Sequence, residues 1–266
     1  MPSGARAGGS SNPCDMRPII TLLTDFGTAD GYVAELKGVL LSAAPEVTIV
    51  DLSHEVPPQD VECARLAVAR YWRRFPIGTV HLVVVDPGVG SPRAPLAVRS
   101  DDRFLVGPDN GVLSPSLLAA GSRAVTLPVP PTASATFHGR DVFAPAAASL
   151  ALGTPLDSLG QVFVEPVIRR TPEARRAADG SVTGEVIAID RFGNAITNLI
   201  APRGGRVELV GRAMPIVRTY ADAARGDIIA LVGSSGFVEV ARRDGSAARE
   251  LSIARGTPVV LRPPRA

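Results

Sequence analysis

The sequence predicts two units of different class. The first, at residues 17–165, is an α/β unit with a central sheet and crossover helices; the second, at 181–266, is a small all-β unit, barrel-like or a sandwich. Three observations predict this. Between Pro18 and Leu159, short β-rich runs alternate with stretches whose apolar residues recur every three or four positions. The polar, arginine-rich stretch IRRTPEARRAADG at 168–180 then breaks the alternation, so that 166–180 reads as an interdomain linker. From Ser181 to Arg262 the apolar segments are short, rich in β-formers and separated by turns, with no convincing helix.

In chain order, the first unit is expected to place strands at 19–24 (IITLLT), 47–52 (VTIVDL), 79–85 (TVHLVVV), 95–100, 103–107 and 124–129. The helical patterns fall between them at 29–43, 58–73 and 140–152. The second unit offers SVTGEVIAID, AITNLI, RVELV, MPIVR, DIIALVG, FVEVA and PVVLR as strand candidates. Residues 1–16 are rich in Gly, Ser and Ala and lack the apolar run of a signal peptide, which makes them an expected disordered leader.

The bulk numbers exclude several classes. A chain of 266 residues, 45% hydrophobic, can bury a sizeable core. Its 28 Lys and Arg against 26 Asp and Glu leave a net charge of +2 with basic residues scattered, which gives no electrostatic footprint for nucleic acid or a membrane surface. No stretch reaches transmembrane length. Cys14 and Cys63 make neither a disulfide framework nor a metal quartet, and free thiols suit a reducing cytoplasm. GxSxG, HExxH and CxxC are missing, and the three histidines have no metal-ligand spacing, so no metal site is expected.

Five polar clusters stand where apolar runs end, the edge at which open α/β sheets bind ligands. In TDFGTADGY at 24–32, Asp25 can accept from ribose hydroxyls or cap the helix that follows. In VVVDPGVGSPR at 83–93, Pro and Gly fix a tight loop that returns Arg93 towards Asp86, as a preorganised site or a structural ion pair. In ATFHGRDVFAP, His138 precedes a helix, where the positive end of the dipole disfavours protonation; for a lone His at a loop a hydrogen-bonded structural role is the commoner reading. His54 and His81 carry weaker cases. The fourth cluster, AIDRFGNAITNLI, offers Asp190, Phe192 and Asn194 as acceptor, aromatic face and amide. The fifth, LVGSSGFVEVA, offers backbone N–H groups and hydroxyls suited to a carboxylate. Either of the last two also reads as a hairpin turn.

Taken in order, TDFG at 24–27, DPGVG at 86–90, GPDNG at 107–111, TFHGRDVFAP at 136–145 and DRFGNAITN at 190–198 closely resemble the S-adenosyl-L-methionine hydroxide adenosyltransferases, relatives of the fluorinase and chlorinase. The match spans about residues 17–264. The resemblance implies an α/β domain followed by a small β-barrel, assembled as a homotrimer with active sites between subunits. It implies a catalytic Asp86, Arg93 and His138. By the same resemblance Asp25 holds the ribose; Asp30, Tyr32, Ser234 and Ser235 lie in methionine-binding segments; and Asp190, Phe192, Asn194, Phe237 and Glu239 surround the adenine. Phe137 would line the sulfur. Halogenating relatives carry Tyr in place of Asp86 and His138 and no Arg at the Arg93 position, which favours water over halide. Gln59 departs from the fluorinase pattern, where a Trp stands.

The implied reaction is in-line attack of water on the ribose C5′, releasing adenosine and a neutral methionine thioether, with S-adenosyl-L-methionine as substrate and no further cofactor. Because the sulfonium charge disappears as the bond breaks, an apolar wall beside the sulfur favours the transition state. Two rival readings are a halogenase of the same fold and a non-catalytic sensor of adenosine or S-adenosyl-methionine.

Overall fold

The computed structural model describes residues 17–200 and 204–264. The expected leader at 1–16, with Cys14, lies outside the described residues. The described chain divides into two compact units with the boundary between Arg169 and Arg170.

The first unit carries one seven-stranded sheet. Its strands are β1 (Ile19–Thr24), β2 (Thr48–Ser53), β3 (Val80–Val84), β4 (Pro95–Ser100), β5 (Arg103–Pro108), β6 (Arg123–Thr126) and β7 (Gln161–Val162), in the order β2-β1-β3-β5-β4-β6-β7. β2, β1, β3 and β5 run parallel, whereas β4 pairs antiparallel with β5 and β6. Every residue of β3 is buried, as expected for a central strand covered on both faces, and all but His81 are apolar. Helices α1 (Tyr32–Ala43) and α4 (Ala144–Ala151) cover one face with Leu36, Leu40 and Ala147, next to Phe143; α2 (Val61–Tyr71) and the single turn α3 (Ser114–Leu117) cover the other with Ala64, Val68 and Leu117, next to Trp72 and Leu113. The connection from β1 runs to β2 on one side, and the next returns to β3 on the other. The carboxyl ends of β1 and β3 therefore flank the switch point of the sheet, where open α/β folds leave a crevice.

Two expected helices begin differently. α1 starts at Tyr32 and not at 29, because Gly27 at φ +67° turns the chain and Gly31 caps the helix. The helix expected at 140–152 opens with a π-turn over Gly139–Phe143, in which Ala144 N–H donates to Gly139 O. Pro145 follows at the start of α4 and has no N–H to give, so the ladder widens just ahead of it. Part of the expected linker is also tied down: Val167 N–H donates to Asp109 Oδ1 at 2.8 Å and Arg169 N–H to Ser114 Oγ at 2.8 Å.

In the second unit, β9 (Val182–Ile189), β10 (Ala195–Thr197), β11 (Arg206–Leu209), β12 (Arg212–Val217), β13 (Ile228–Val232), β14 (Val238–Arg242) and β15 (Pro258–Arg262) close into a barrel. The two-residue β8 (Arg175–Arg176) adds to the outside of β9. Closure comes from β9, which pairs antiparallel with both β10 and β15 and leaves the barrel no free edge. Val186, Ala195, Leu199, Val207, Val240 and Val259 fill the interior. The absence of a helix expected here is corrected by one turn, α5 (Ala247–Glu250), whose cap Ser246 accepts from Arg249 N–H. Among the described residues no helix is long and apolar enough to cross a membrane.

Candidate active site

Asp86 follows the end of β3, and the seven residues after it fold back on themselves through bonds from Val89 N–H to Asp86 O and from Ser91 N–H to Gly88 O. Gly90, at φ +77°, packs so tightly that a Cβ there would stand 2.6 Å from Ala135 O. Only glycine allows this approach of the 86–93 loop to the segment that leads into His138. The result is a fork. Arg93 Nε donates to Asp86 Oδ1 at 3.0 Å, Nη2 donates to Asp86 Oδ2, and Nη2 also lies 2.9 Å from His138 Nδ1. The guanidinium stacks over the Phe143 ring at 5.3 Å. The Asp86 and Arg93 side chains are only 6% and 8% exposed, so this is a desolvated pair in which each charge depends on the other. Arg93 Nη1 is buried with no partner, a donor left for something else in the site.

His138 is buried as well, at the N-terminal side of the π-turn. Burial, and then the neighbouring Arg93 charge, hold its pKa below the ordinary histidine value, with Asp86 and Asp141 acting in the opposite sense. An arginine can only donate, so Nδ1 must present a lone pair, and the neutral ring carries its proton on Nε2.

Asp25 stands just beyond β1, with Oδ2 accepting from Gln59 N–H at 2.7 Å. Next to it Phe26, Tyr32 and Phe137 form a cluster with ring centroids 5.5 to 5.8 Å apart in tilted or edge-on pairs. Tyr32 is 48% exposed, so this apolar wall opens outward. Asp30 is exposed at the same rim. Asp25, Asp86 and His138 thus gather around the β1 and β3 ends, as their motifs indicate.

In the barrel, Asp190 organises the second cluster. Its Oδ1 accepts from Phe192 N–H and Asn194 N–H, both at 2.9 Å, and its Oδ2 accepts from Asn194 Nδ2 at 2.9 Å. This turn leaves the Phe192 ring 74% exposed while Asn194 is buried. Because its amide nitrogen is turned towards the carboxylate, Asn194 offers its oxygen to a ligand. Tyr220 joins the group: its hydroxyl accepts from Asn194 Nδ2 at 3.4 Å and reaches Glu239 Oε2 at 3.5 Å. Burial, and then Glu239 and Asp190, push the phenol above its usual pKa. Glu239 is buried under Gly233, where a Cβ would collide with its carboxylate. In the turn beyond, Gly233 N–H donates to Phe237 O and Gly236 N–H to Gly233 O, and Ser235 Oγ is buried without a partner. Sequence reasoning missed Tyr220. It lies in a 3-10 turn over Tyr220–Asp222, 26 residues from Asn194, and no motif marks it.

The chain's relatives share this division. The models of the SAM hydroxide adenosyltransferase N-terminal and C-terminal domains match residues 20–160 and 184–260. An (R)-S-adenosyl-L-methionine hydrolase of Thermus thermophilus is 44% identical over 92% of this chain and 100% of its own length. A fluorinase of Actinopolyspora mzabensis is 30% identical over 91% of this chain and 96% of its own. A conserved protein of Thermotoga maritima, known from a crystal structure, superposes with a TM-score of 0.83 at 31% identity, over 91% of this chain and 99% of its own. With both domain models matched in order, and with relatives similar along nearly their whole length, the chain belongs to the SAM hydroxide adenosyltransferase family.

Proposed function

We propose that this chain is a hydrolase that cleaves S-adenosyl-L-methionine into adenosine and L-methionine, and that Asp86, Arg93 and His138 handle the water. The observation that carries the reading is the buried, bidentate Arg93–Asp86 pair with His138 on the same guanidinium. Water oxygen bonds to C5′, the C5′–S bond breaks, and its electron pair neutralises the sulfonium. The leaving group is a neutral thioether that needs no acid, so catalysis is confined to orienting water and taking its proton, a contribution of roughly 100- to 10,000-fold. With Nδ1 occupied by Arg93, His138 meets the water through Nε2–H and fixes its position, while the proton passes to the Asp86 carboxylate. Phe26, Tyr32 and Phe137 supply an uncharged wall for a sulfonium that loses its charge.

Asp25 is assigned to the ribose, Asp30, Tyr32, Ser234 and Ser235 to the methionine, and Phe192, Asn194, Phe237 and Glu239, with Asp190 behind them, to the adenine. Asn194, offering its oxygen, suits the exocyclic amine of adenine. The exposed Phe192 ring suits stacking on the base. The proposed assembly is a homotrimer in which neighbouring subunits complete each site, working in the cytoplasm. The relatives' names specify the R configuration at sulfur, and the R epimer is the proposed substrate here.

The test is incubation with each sulfonium epimer in oxygen-18 water, with and without fluoride, chloride or bromide. Adenosine from the R epimer, labelled in its 5′-hydroxyl and unchanged by halide, is expected. A 5′-halo-adenosine would transfer the chain to the halogenase reading, and binding without turnover to the sensor reading. Sedimentation at about three times 27.6 kDa checks the trimer.

A further inference from the structure

A second buried polar chain lies behind Asp25. Thr24, fully buried at the end of β1, accepts from Phe26 N–H at 3.3 Å and lies 2.8 Å from His54 Nδ1. The Thr24 hydroxyl and His54 Nδ1 share one buried hydrogen bond. Nε2 is 3.1 Å from Asp51 Oδ1, in an electrostatic contact and not an aligned hydrogen bond. Asp51 Oδ2 in turn meets Lys37 Nζ of α1, the one lysine in the chain, at 2.6 Å. This Thr–His–Asp order is one that activates hydroxyl nucleophiles, but with Thr24 at 0% and His54 at 5% exposure no substrate reaches the hydroxyl. What the chain of contacts provides is position.

The segment that begins at His54 grips the Asp25 loop at three further points. Gly27 N–H donates to His54 O at 2.7 Å, Thr28 Oγ1 to Glu55 Oε1 at 3.2 Å, and Gln59 N–H to Asp25 Oδ2 at 2.7 Å. Gln59 sits at φ +65°, a left-handed conformation that side chains other than glycine adopt at a cost, and its N–H is the one that meets the carboxylate. One Asp25 oxygen is thereby fixed and Oδ1 remains for a ligand.

We propose that His54 is a positioning residue for substrate binding: by holding the 54–59 segment against the 24–28 loop it aims Asp25 at the ribose hydroxyls. His54 itself touches neither substrate nor reacting atoms. The inference rests on the assignment of Asp25 to the ribose made above.

The experiment measures the Kd for adenosine by titration calorimetry, together with KM, kcat and a thermal melt, for wild type, His54→Ala, His54→Asn, Thr24→Val, Asp25→Ala and the Asp25→Ala/His54→Ala double variant. His54→Ala should raise adenosine Kd and KM about tenfold, less than the roughly hundredfold loss that a 1 Å misplacement can cause, with kcat within about threefold of wild type. Thr24→Val, which removes the same hydrogen bond and keeps the shape, should move both constants in the same direction. His54→Asn, which keeps an acceptor near the Nδ1 position, should recover most of the loss. In the Asp25→Ala background the His54 change should add less than about twofold, since the group it aims has gone. A wild-type Kd in folded His54→Ala, or an undiminished effect in the double variant, overturns the inference and leaves the ribose assignment standing. A wild-type Kd in Asp25→Ala overturns both. Should His54→Ala not fold, Thr24→Val decides, and a wild-type Kd for it overturns the inference.

Discussion

All three histidines lie in the α/β unit, and the barrel contains none. The α/β unit buries a guanidinium, a carboxylate and an imidazole in one fork at the end of β3, the kind of set that can move a proton near neutral pH. The barrel instead buries an amide and the Glu239 carboxylate beside a phenol that burial holds protonated, groups that fix donors and acceptors. Under the function proposed above, the difference assigns proton handling to the edge of a sheet covered on both faces and adenine recognition to the turns of a small closed barrel.

Substitutions should therefore separate kcat from KM. Asp86→Asn, which keeps the shape and removes the base, should lower kcat by roughly 100- to 10,000-fold with little change in KM. Asn194→Ala should raise KM about tenfold and leave kcat within about threefold, because it removes binding that ground and transition states share. Steady-state kinetics on the two variants checks this, and a collapse of kcat in Asn194→Ala would break the contrast.

Acid should also act on one unit before the other. His81, the second residue of β3, bonds to Thr21 Oγ1 at 2.7 Å and to Trp72 O at 3.0 Å, and burial pushes its pKa down to about 4. The folded value is below the unfolded one, near 6.5, so the unfolded chain binds more protons in that window. Stability is complete above about pH 6.5 and is lost as pH falls towards 4, by about 2 kcal/mol at pH 5. Trp72, the single tryptophan, is buried beside His81, so its fluorescence follows this unit alone. Urea unfolding by that signal should shift between pH 7 and 5, while exchange of the barrel amides should not. The smallest expected effect is at the exposed Arg225–Asp244 pair of the barrel, where Asp244→Asn should change the melting free energy by less than about 0.5 kcal/mol.

The two-unit plan was legible because periodicity reports burial, as in the fully buried β3, while closure of the second unit into a barrel and not a sandwich came from the resemblance. Asp86 and Arg93 stood out because Pro and Gly in DPGVGSPR leave the loop few conformations, whereas His138 stood out only through the resemblance of TFHGRD to the family motif. What escaped depends on contacts between distant positions. Thr24 meets His54 across 30 residues, Asp25 meets Gln59 across 34, and Tyr220 meets Asn194 across 26, and no local pattern encodes such pairs. The π-turn before α4 escaped for another reason: Pro145 is a tolerated residue at a helix start, and only the hydrogen-bond ladder reveals that the helix had already begun.

The seam of the barrel has a consequence for timing. β9, its first strand, cannot complete its pairing until β15 exists, because Val182 faces Leu261 and Glu185 faces Pro258. The α/β sheet, by contrast, needs nothing beyond β7 at Val162. At synthesis rates of roughly 5–20 residues per second, the last strand of the barrel follows β7 by about 5 to 20 seconds. During translation the α/β unit thus has its full set of strands while the barrel is still an open row.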